Sequence, residues 1–285
     1  AARWRTRISE RRWMREAEVR GQMEGEFAGI RWETNDRTLI LTIDRQDRRN
    51  ALDPDAHHQL ATLFDGFANS DTHLVAIVTG AGDRAFCAGS DLTVKAGLDR
   101  ANLPNTGFAG LAERFDLTKP VIAAVNGDAI GGGMEIVLAC DLCVAVPTAR
   151  FALPEPRVGL AASGGLHRLA RQVPQKWAME LALTGRMFSA EEAAAMGVVN
   201  QIAPAGEDRG GVLAMAREMA ELVCQNAPLA LRATKEMMMA GLDQPTLEAA
   251  YAARYPTCDV MLGSDDAAEG RAAFLQKRKP QWLGR

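Results

Sequence analysis

Two glycine-containing turns carry the residue types from which a backbone ligand site can be built: Ala88-Gly89-Ser90-Asp91 and Ile130-Gly131-Gly132-Gly133. Each follows an apolar run that reads as a buried strand, Leu74 to Thr79 before the first and Val121 to Val125 before the second. Small residues let the main chain approach a ligand closely. A helix opening at Gly132 directs its unpaired N–H groups and positive dipole end at the same place. Two converging N–H groups of this kind can hold the negative oxygen that forms when a carbonyl is attacked.

Two acids accompany the turns. Glu135 follows the triple glycine and is flanked by small or apolar residues from Ala129 to Ala139, whereas most glutamates of a chain are solvated surface groups. Glu155 stands between Pro154 and Pro156, which fix the local backbone and keep the acid out of a regular helix. A polarised carbonyl beside two carboxylates suits general acid–base chemistry on the neighbouring carbons.

The elements that must position these groups are legible from pattern and punctuation. Ile30 to Thr34 and Leu39 to Ile43 read as a hairpin about Asn35-Asp36, and Asp53-Pro54 reads as the N-cap and first residue of an amphipathic helix. Strand, loop and helix then recur through Leu74 to Thr79, Val121 to Val125 and Leu142 to Val146. After Gly164 strands nearly vanish. Gly185 and Gly197 punctuate helices, and Val212, Met215, Ala216, Met219, Leu222 and Val223 recur at the spacing of one helical face. The expected class is α/β, with an N-terminal extension at 1–24, a core at 25–203 and a helical region at 204–285.

Phe86 to Leu92, Asn126 to Glu135 and Leu153-Pro154-Glu155 resemble the three signature segments of the enoyl-CoA hydratase/isomerase (crotonase) superfamily. They occur in the same order with matching separations, and the likeness runs from about Gly29 to Gly284. The resemblance implies a spiral of β/β/α turns followed by a helical C-terminal region that trimerises. It implies backbone N–H donors at Ala88 and Gly132, a thioester cradle at Ala88, Gly89, Ser90, Asp91 and Gly132, and catalytic glutamates at Glu135 and Glu155. In the superfamily the acid after the triple glycine and the acid after Leu-Pro together mark hydratases, and isomerases generally keep only the second. The implied activity is therefore reversible syn addition of water across the 2,3 double bond of a 2-enoyl-CoA thioester, with Glu135 as base and Glu155 as acid. No cofactor is expected beyond the coenzyme A carried by the substrate, and no metal.

The nearer alternatives are other reactions of the same scaffold: 3,2-enoyl-CoA isomerisation, or a reaction like that of carnitinyl-CoA dehydratase. The Leu-Pro-Glu-Pro-Arg-Val-Gly stretch, the segment Gly164 to Leu169 and the tail from Glu269 to Trp282 look similar to that last branch. One departure falls beside Glu155, where Gly159 to Gly165 lacks the proline found in many relatives. The remote alternative is an RNA-binding or inactive homologue. The helix from Asp53 to Asp71, however, contains no Lys or Arg with which to neutralise phosphates.

Composition narrows the partners. A formal net charge of -3 argues against a dedicated nucleic-acid binder, and no apolar run approaches the roughly 20 residues of a membrane span. Arg45, Arg48, Arg49 and Lys95 form a local cationic cluster near the motif loops, suited to an anionic coenzyme. Five cysteines, an odd number, suit a reducing compartment, so the expected location is cytoplasmic. Cys140 and Cys143 make a C-x-x-C that reads as packing rather than redox or zinc chemistry, since no further ligands stand at zinc spacing.

Gly80-Ala81-Gly82 matches the start of a dinucleotide fingerprint, but Phe86-Cys87-Ala88-Gly89 follows where an apolar helix face is required. His57, His58 and His167 read as packed or solvated. Apolar positions at Leu247, Tyr251, Val260, Met261, Leu262, Phe274 and Leu275 exceed what a surface layer needs, and predict a homotrimer or a hexamer of paired trimers. Residues 1–22 carry seven arginines and three glutamates, which suits an accessory extension better than a transit peptide. The loop from Gly97 to Phe115, with Asn102, Asn105 and Thr106, is expected to line the acyl pocket.

Overall fold

The computed structural model describes residues 24–94, 100–206 and 208–285. The N-terminal extension, Lys95 and the first part of the expected acyl loop therefore lie outside the described residues.

Two sheets carry the N-terminal part. Strands β1 (Glu24–Phe27), β2 (Ile30–Asn35), β3 (Thr38–Ile43), β4 (Val75–Gly80), β6 (Val121–Val125), β8 (Leu142–Ala145) and β11 (Gln201–Ile202) form a seven-stranded sheet in the order β1-β2-β3-β4-β6-β8-β11. The pairs β1/β2 and β2/β3 are antiparallel, and the rest are parallel. A four-stranded sheet has the order β10-β9-β7-β5, from β5 (Ala85–Cys87), β7 (Asp128–Ile130), β9 (Arg150–Ala152) and β10 (Phe188–Ser189).

Successive strands thus alternate between sheets: β4 then β5, β6 then β7, β8 then β9. Each turn of this spiral ends a strand of the second sheet beside the previous one. That brings the loop after β5 next to the loop after β7, although about forty residues separate them in sequence.

The central strands are covered on both faces, which is why they read as continuous apolar runs. Every residue of β3, β4 and β6 is buried. Ile77 pairs with Ile122 and Val78 with Ala123, all fully or almost fully buried, so apolar side chains face one another across the strand pair. Helix α1 (Pro54–Asn69) starts where Asp53 accepts a hydrogen bond from the Ala56 amide at 2.9 Å, with Pro54 supplying a preset φ at the first position. Its buried face carries Leu60, Leu63, Phe64 and Phe67, each contributing roughly 1.5–3 kcal/mol by leaving water. Below its last turn, buried Lys119 donates to the Phe67, Ser70 and His73 carbonyls, which complements the negative end of the helix dipole.

Helix α2 (Gly132–Ala139) follows β7 and carries Glu135 in its first turn. The remainder is helical: α3 (Leu166–Gln172), α4 (Gln175–Thr184), α5 (Ala190–Ala195), α6 (Arg209–Cys224), α7 (Pro228–Gly241), α8 (Leu247–Ala252), α9 (Pro256–Leu262) and α10 (Asp265–Gln276). The expected face of α6 is buried through Val212 and Ala216, with Met219 and Val223 packed against it. Leu213 and Ala220 join it, whereas Leu222 is exposed. Gly185 ends α4 in the left-handed conformation at φ 58°.

The expected strand boundaries hold to within one or two residues, and the hairpin turns at Asp36, with φ 52°. Gly82 enters a turn leading to strand β5 rather than a helix, so the dinucleotide-like glycines serve a different bend. Cys140 and Cys143 are buried, and burial pushes both thiols well up. Among the described residues no helix is long and apolar enough to cross a membrane.

Candidate active site

The loop after β5 is laced to the segment before α1. The Ala88 amide donates to the Arg49 carbonyl at 3.1 Å, the Leu52 amide to the Gly89 carbonyl at 2.8 Å, and the Asp91 amide to the Leu52 carbonyl at 2.9 Å. These bonds correct one expectation: Ala88, expected as an oxyanion donor, has its N–H already engaged. Two residues on, the half-buried Ser90 has an amide with no acceptor among the described residues. Gly89, at φ 93°, lies against the second loop, and a Cβ placed on it would stand 3.3 Å from the Gly132 nitrogen. The Gly132 amide likewise has no acceptor among the described residues.

Asp91 and Arg45 also differ from expectation. The Asp91 Oδ1 accepts from the Thr93 amide at 3.0 Å and hydroxyl at 2.6 Å, and its Oδ2 accepts from Arg45 at 3.2 Å. The Thr93 hydroxyl, with help from Arg45, holds this carboxyl below the usual range. It is therefore a buried strut of the cradle rather than a group facing substrate. Arg45 pairs in addition with Asp53 at 2.6 Å and donates to the Ala51 carbonyl at 2.8 Å. Of the expected cationic cluster, Arg45 is thus committed to binding the loop to the start of α1, and Arg48 pairs with Asp47 at 3.4 Å.

The triple glycine has a separate steric reason at each position. Gly131 takes φ 58°, and a Cβ there would meet the Glu155 Oε1 at 2.9 Å. On Gly132 a Cβ would fall 2.2 Å from the ring tip of Phe108, and on Gly133 it would fall 1.9 Å from the Cys87 carbonyl oxygen. Each is closer than atoms tolerate, so the second loop and α2 press directly on β5, Phe108 and Glu155.

Glu135 is 7 % exposed, and its Oε1 accepts from the Gly164 amide at 2.9 Å. Burial, reinforced by the charge of Glu155, raises its pKa to about 7, against the lowering effect of the Gly164 amide. Desolvation outweighs the nearby helix N-terminus here, so the acid is half-protonated near neutrality. Glu155 starts a 3₁₀ turn, Glu155–Val158, as its flanking prolines predict. Its Oε2 is buried with no hydrogen-bond partner among the described residues, and burial raises its pKa as well. The structure therefore gathers Ser90, Gly132, Glu135 and Glu155 around the junction of the two loops. Such an arrangement can polarise a carbonyl and move protons on one side of it.

Two contributors were not visible in the sequence pattern. Gly164 lies in the segment that departs from related motifs, and its missing side chain admits the Glu135 carboxylate: a Cβ would stand 2.6 Å from Oε2. Half-buried Glu113 adds negative charge that also raises the Glu135 pKa. A Gly-Gly pair at 164–165 was the available signal for the first, and nothing in the spacing marks the second.

A model of the enoyl-CoA hydratase/isomerase family matches residues 33–285. A carnitinyl-CoA dehydratase from Proteus mirabilis is 40 % identical over 262 residues, covering 88 % of this chain and 97 % of its own. One of the same name from Salmonella enteritidis is 42 % identical over 260 residues, with coverages of 88 % and 97 %. Among solved structures, an enoyl-CoA hydratase from Mycobacterium marinum superposes with a TM-score of 0.83 at 38 % identity, over 91 % of this chain and all of that one. An enoyl-CoA hydratase from Mycobacterium tuberculosis gives 0.81 at 37 % with the same coverage. With two amides left without acceptors near Glu135 and Glu155, and with likeness over nearly the whole described chain, the protein belongs to the enoyl-CoA hydratase/isomerase family and has the crotonase fold.

Proposed function

We propose that the protein catalyses reversible addition of water across the 2,3 double bond of a 2-enoyl-CoA thioester. The observation that carries this reading is the pair of desolvated acids, buried Glu135 and half-buried Glu155, beside two amides without acceptors among the described residues. The thioester oxygen lies between the Ser90 and Gly132 N–H groups, which stabilise the enolate charge that attack at C3 pushes onto it. One water rests between the carboxyl groups. The ionised member takes its proton as oxygen bonds to C3, and the protonated member delivers a proton to C2 on the same face.

Glu135, pushed up to about 7, exchanges its proton near neutral pH as a proton-transfer group must, and burial raises Glu155 as well. Glu135 as base and Glu155 as acid is the forward assignment; dehydration runs it backwards. An isomerase requires only one acid at this place, and two are present.

A second reading concerns the acyl group. Curated relatives at 40 to 42 % identity are named carnitinyl-CoA dehydratase, which favours a carnitine-type acyl chain undergoing the same water elimination. Product analysis after incubation with crotonyl-CoA, a 3-enoyl-CoA and carnitinyl-CoA separates the readings. Hydration or dehydration without migration of the double bond is expected, and turnover of the 3-enoyl thioester alone would overturn the proposal.

Assembly as a homotrimer or hexamer through residues 204–285 is part of the same proposal. Leu247, Tyr251, Phe274 and Leu275 are all at least three-quarters exposed on the single chain, and Met238 adds to them. Light scattering at micromolar concentration should return three or six chains; a monomer would contradict it.

A further inference from the structure

Helix α1 carries a buried histidine for which the hydration chemistry has no use. The His57 Nδ1 accepts a hydrogen bond from the Ala109 amide at 3.0 Å, and its ring meets that of Phe108 edge-on, with centroids 4.4 Å apart. Its Nε2 is buried with no partner among the described residues. Burial lowers the ring's pKa to about 4, so near neutral pH it is uncharged, with the proton on Nε2 and the lone pair on Nδ1. The amide it accepts from belongs to a non-glycine residue in the left-handed region, Ala109 at φ 54°, between Gly107 at 76° and Gly110 at 66°. A side chain in that region costs free energy and needs an outside partner to hold it. Arg114 ties the same loop to α1 by donating to the Gly110 and Ala61 carbonyls. The product of this bend is the Phe108 ring, whose tip lies where a Cβ of Gly132 would be.

We propose that His57 is a positioning residue for the oxyanion site: Nδ1 fixes Ala109, Ala109 fixes the Phe108 ring, and the ring seats the first turn of α2 so that the Gly132 amide points at the thioester oxygen. The inference rests on the reading of Ser90 and Gly132 as the donors. An inert filler at this place would be better served by an apolar side chain, because the imidazole buries an unpartnered Nε2. Among the described residues the ring's hydrogen bond is the one from Ala109.

The test compares His57→Leu with His57→Asn, two side chains of similar size of which only asparagine presents an acceptor near the place of Nδ1. Binding of cinnamoyl-CoA is followed by its absorption band, which moves to longer wavelength when the thioester carbonyl is polarised, and turnover is measured with crotonyl-CoA. His57→Leu should lower kcat about ten-fold with KM changed less than about two-fold, and should shrink the band shift, since a misaimed donor forfeits part of the effect of losing it. His57→Asn should recover most of both. Phe108→Leu, which leaves His57 in place, should reproduce the loss and decides the matter should His57→Leu fail to fold. A full band shift with unchanged kcat in His57→Leu or in Phe108→Leu would overturn the assignment, as would a His57→Asn variant no better than His57→Leu. No band shift in the unaltered protein would refute the oxyanion reading itself, and this inference with it.

Discussion

The Gly164 amide donates to the Glu135 carboxylate at 2.9 Å across 29 residues of chain, and the absence of a side chain on Gly164 is what admits the carboxylate to that place. A Cβ there would stand 2.6 Å from Oε2. Gly164→Ala should keep the amide but displace the acid, lowering kcat by about 10- to 100-fold, within the range that a positioned acid or base contributes. Steady-state kinetics with a circular-dichroism check of folding measures this, and unchanged kcat would show that the carboxylate has room to move without consequence.

The raised pKa of Glu135 makes the site a source of instability at high pH. Its folded value of about 7 exceeds the ordinary 4.5, so between these values the folded state binds more protons than the unfolded one. Stability from this group is full below about pH 4.5 and is lost as pH rises through 7. By linkage the loss is up to about 3 kcal/mol. Glu135→Gln, which never ionises, should raise Tm at pH 8 by several degrees and change it little at pH 4.5. An equal shift at both pH values would contradict the titration.

The Arg45 guanidinium bridges Asp53 and Asp91, joining the cap of α1 to the loop after β5. Arg45→Met removes the cation from two carboxylates of which Asp91 is 5 % exposed. We expect a stability loss of roughly 1–3 kcal/mol, and a rise in KM for acyl-CoA larger than the fall in kcat, because the loop that cradles the thioester loses its tie. Urea unfolding and initial rates measure the two effects. A lower kcat with unchanged KM would place Arg45 in the chemical step instead.

The sequence was informative wherever a local rule decides the structure. Asp53-Pro54 announces α1, the prolines around Glu155 announce a non-helical acid, and the three glycines announce a tight loop at the head of α2. The apolar runs of β4 and β6 announce strands covered on both faces. It was uninformative where long-range pairing decides. Which amide of the first loop stays free depends on the Arg49 carbonyl, contributed from outside that loop, and this leaves the Ser90 amide rather than that of Ala88 without an acceptor among the described residues. In the same way Asp91 and Arg45 look like ligand groups until their mutual ion pair is seen, and His57 looks like packing until Ala109 bends toward it. The exposed apolar side chains of α8 and α10 were legible as an excess, since burial in a single chain does not account for them.

The central claim, that Glu135 and Glu155 act on one water, is tested most directly by Glu135→Gln, Glu155→Gln and the double variant in hydration of a 2-enoyl-CoA. Each single change keeps shape and most hydrogen bonding while removing one proton-transfer partner. Each should lower kcat by roughly 100- to 10,000-fold with little change in KM, and the double variant should be far less impaired than the product of the two, because they work as a unit. Loss of turnover in Glu155→Gln alone, with Glu135→Gln nearly unaffected, would indicate single-acid isomerase chemistry. Near-full hydration activity in both single variants would contradict the account, since the water would then be activated elsewhere.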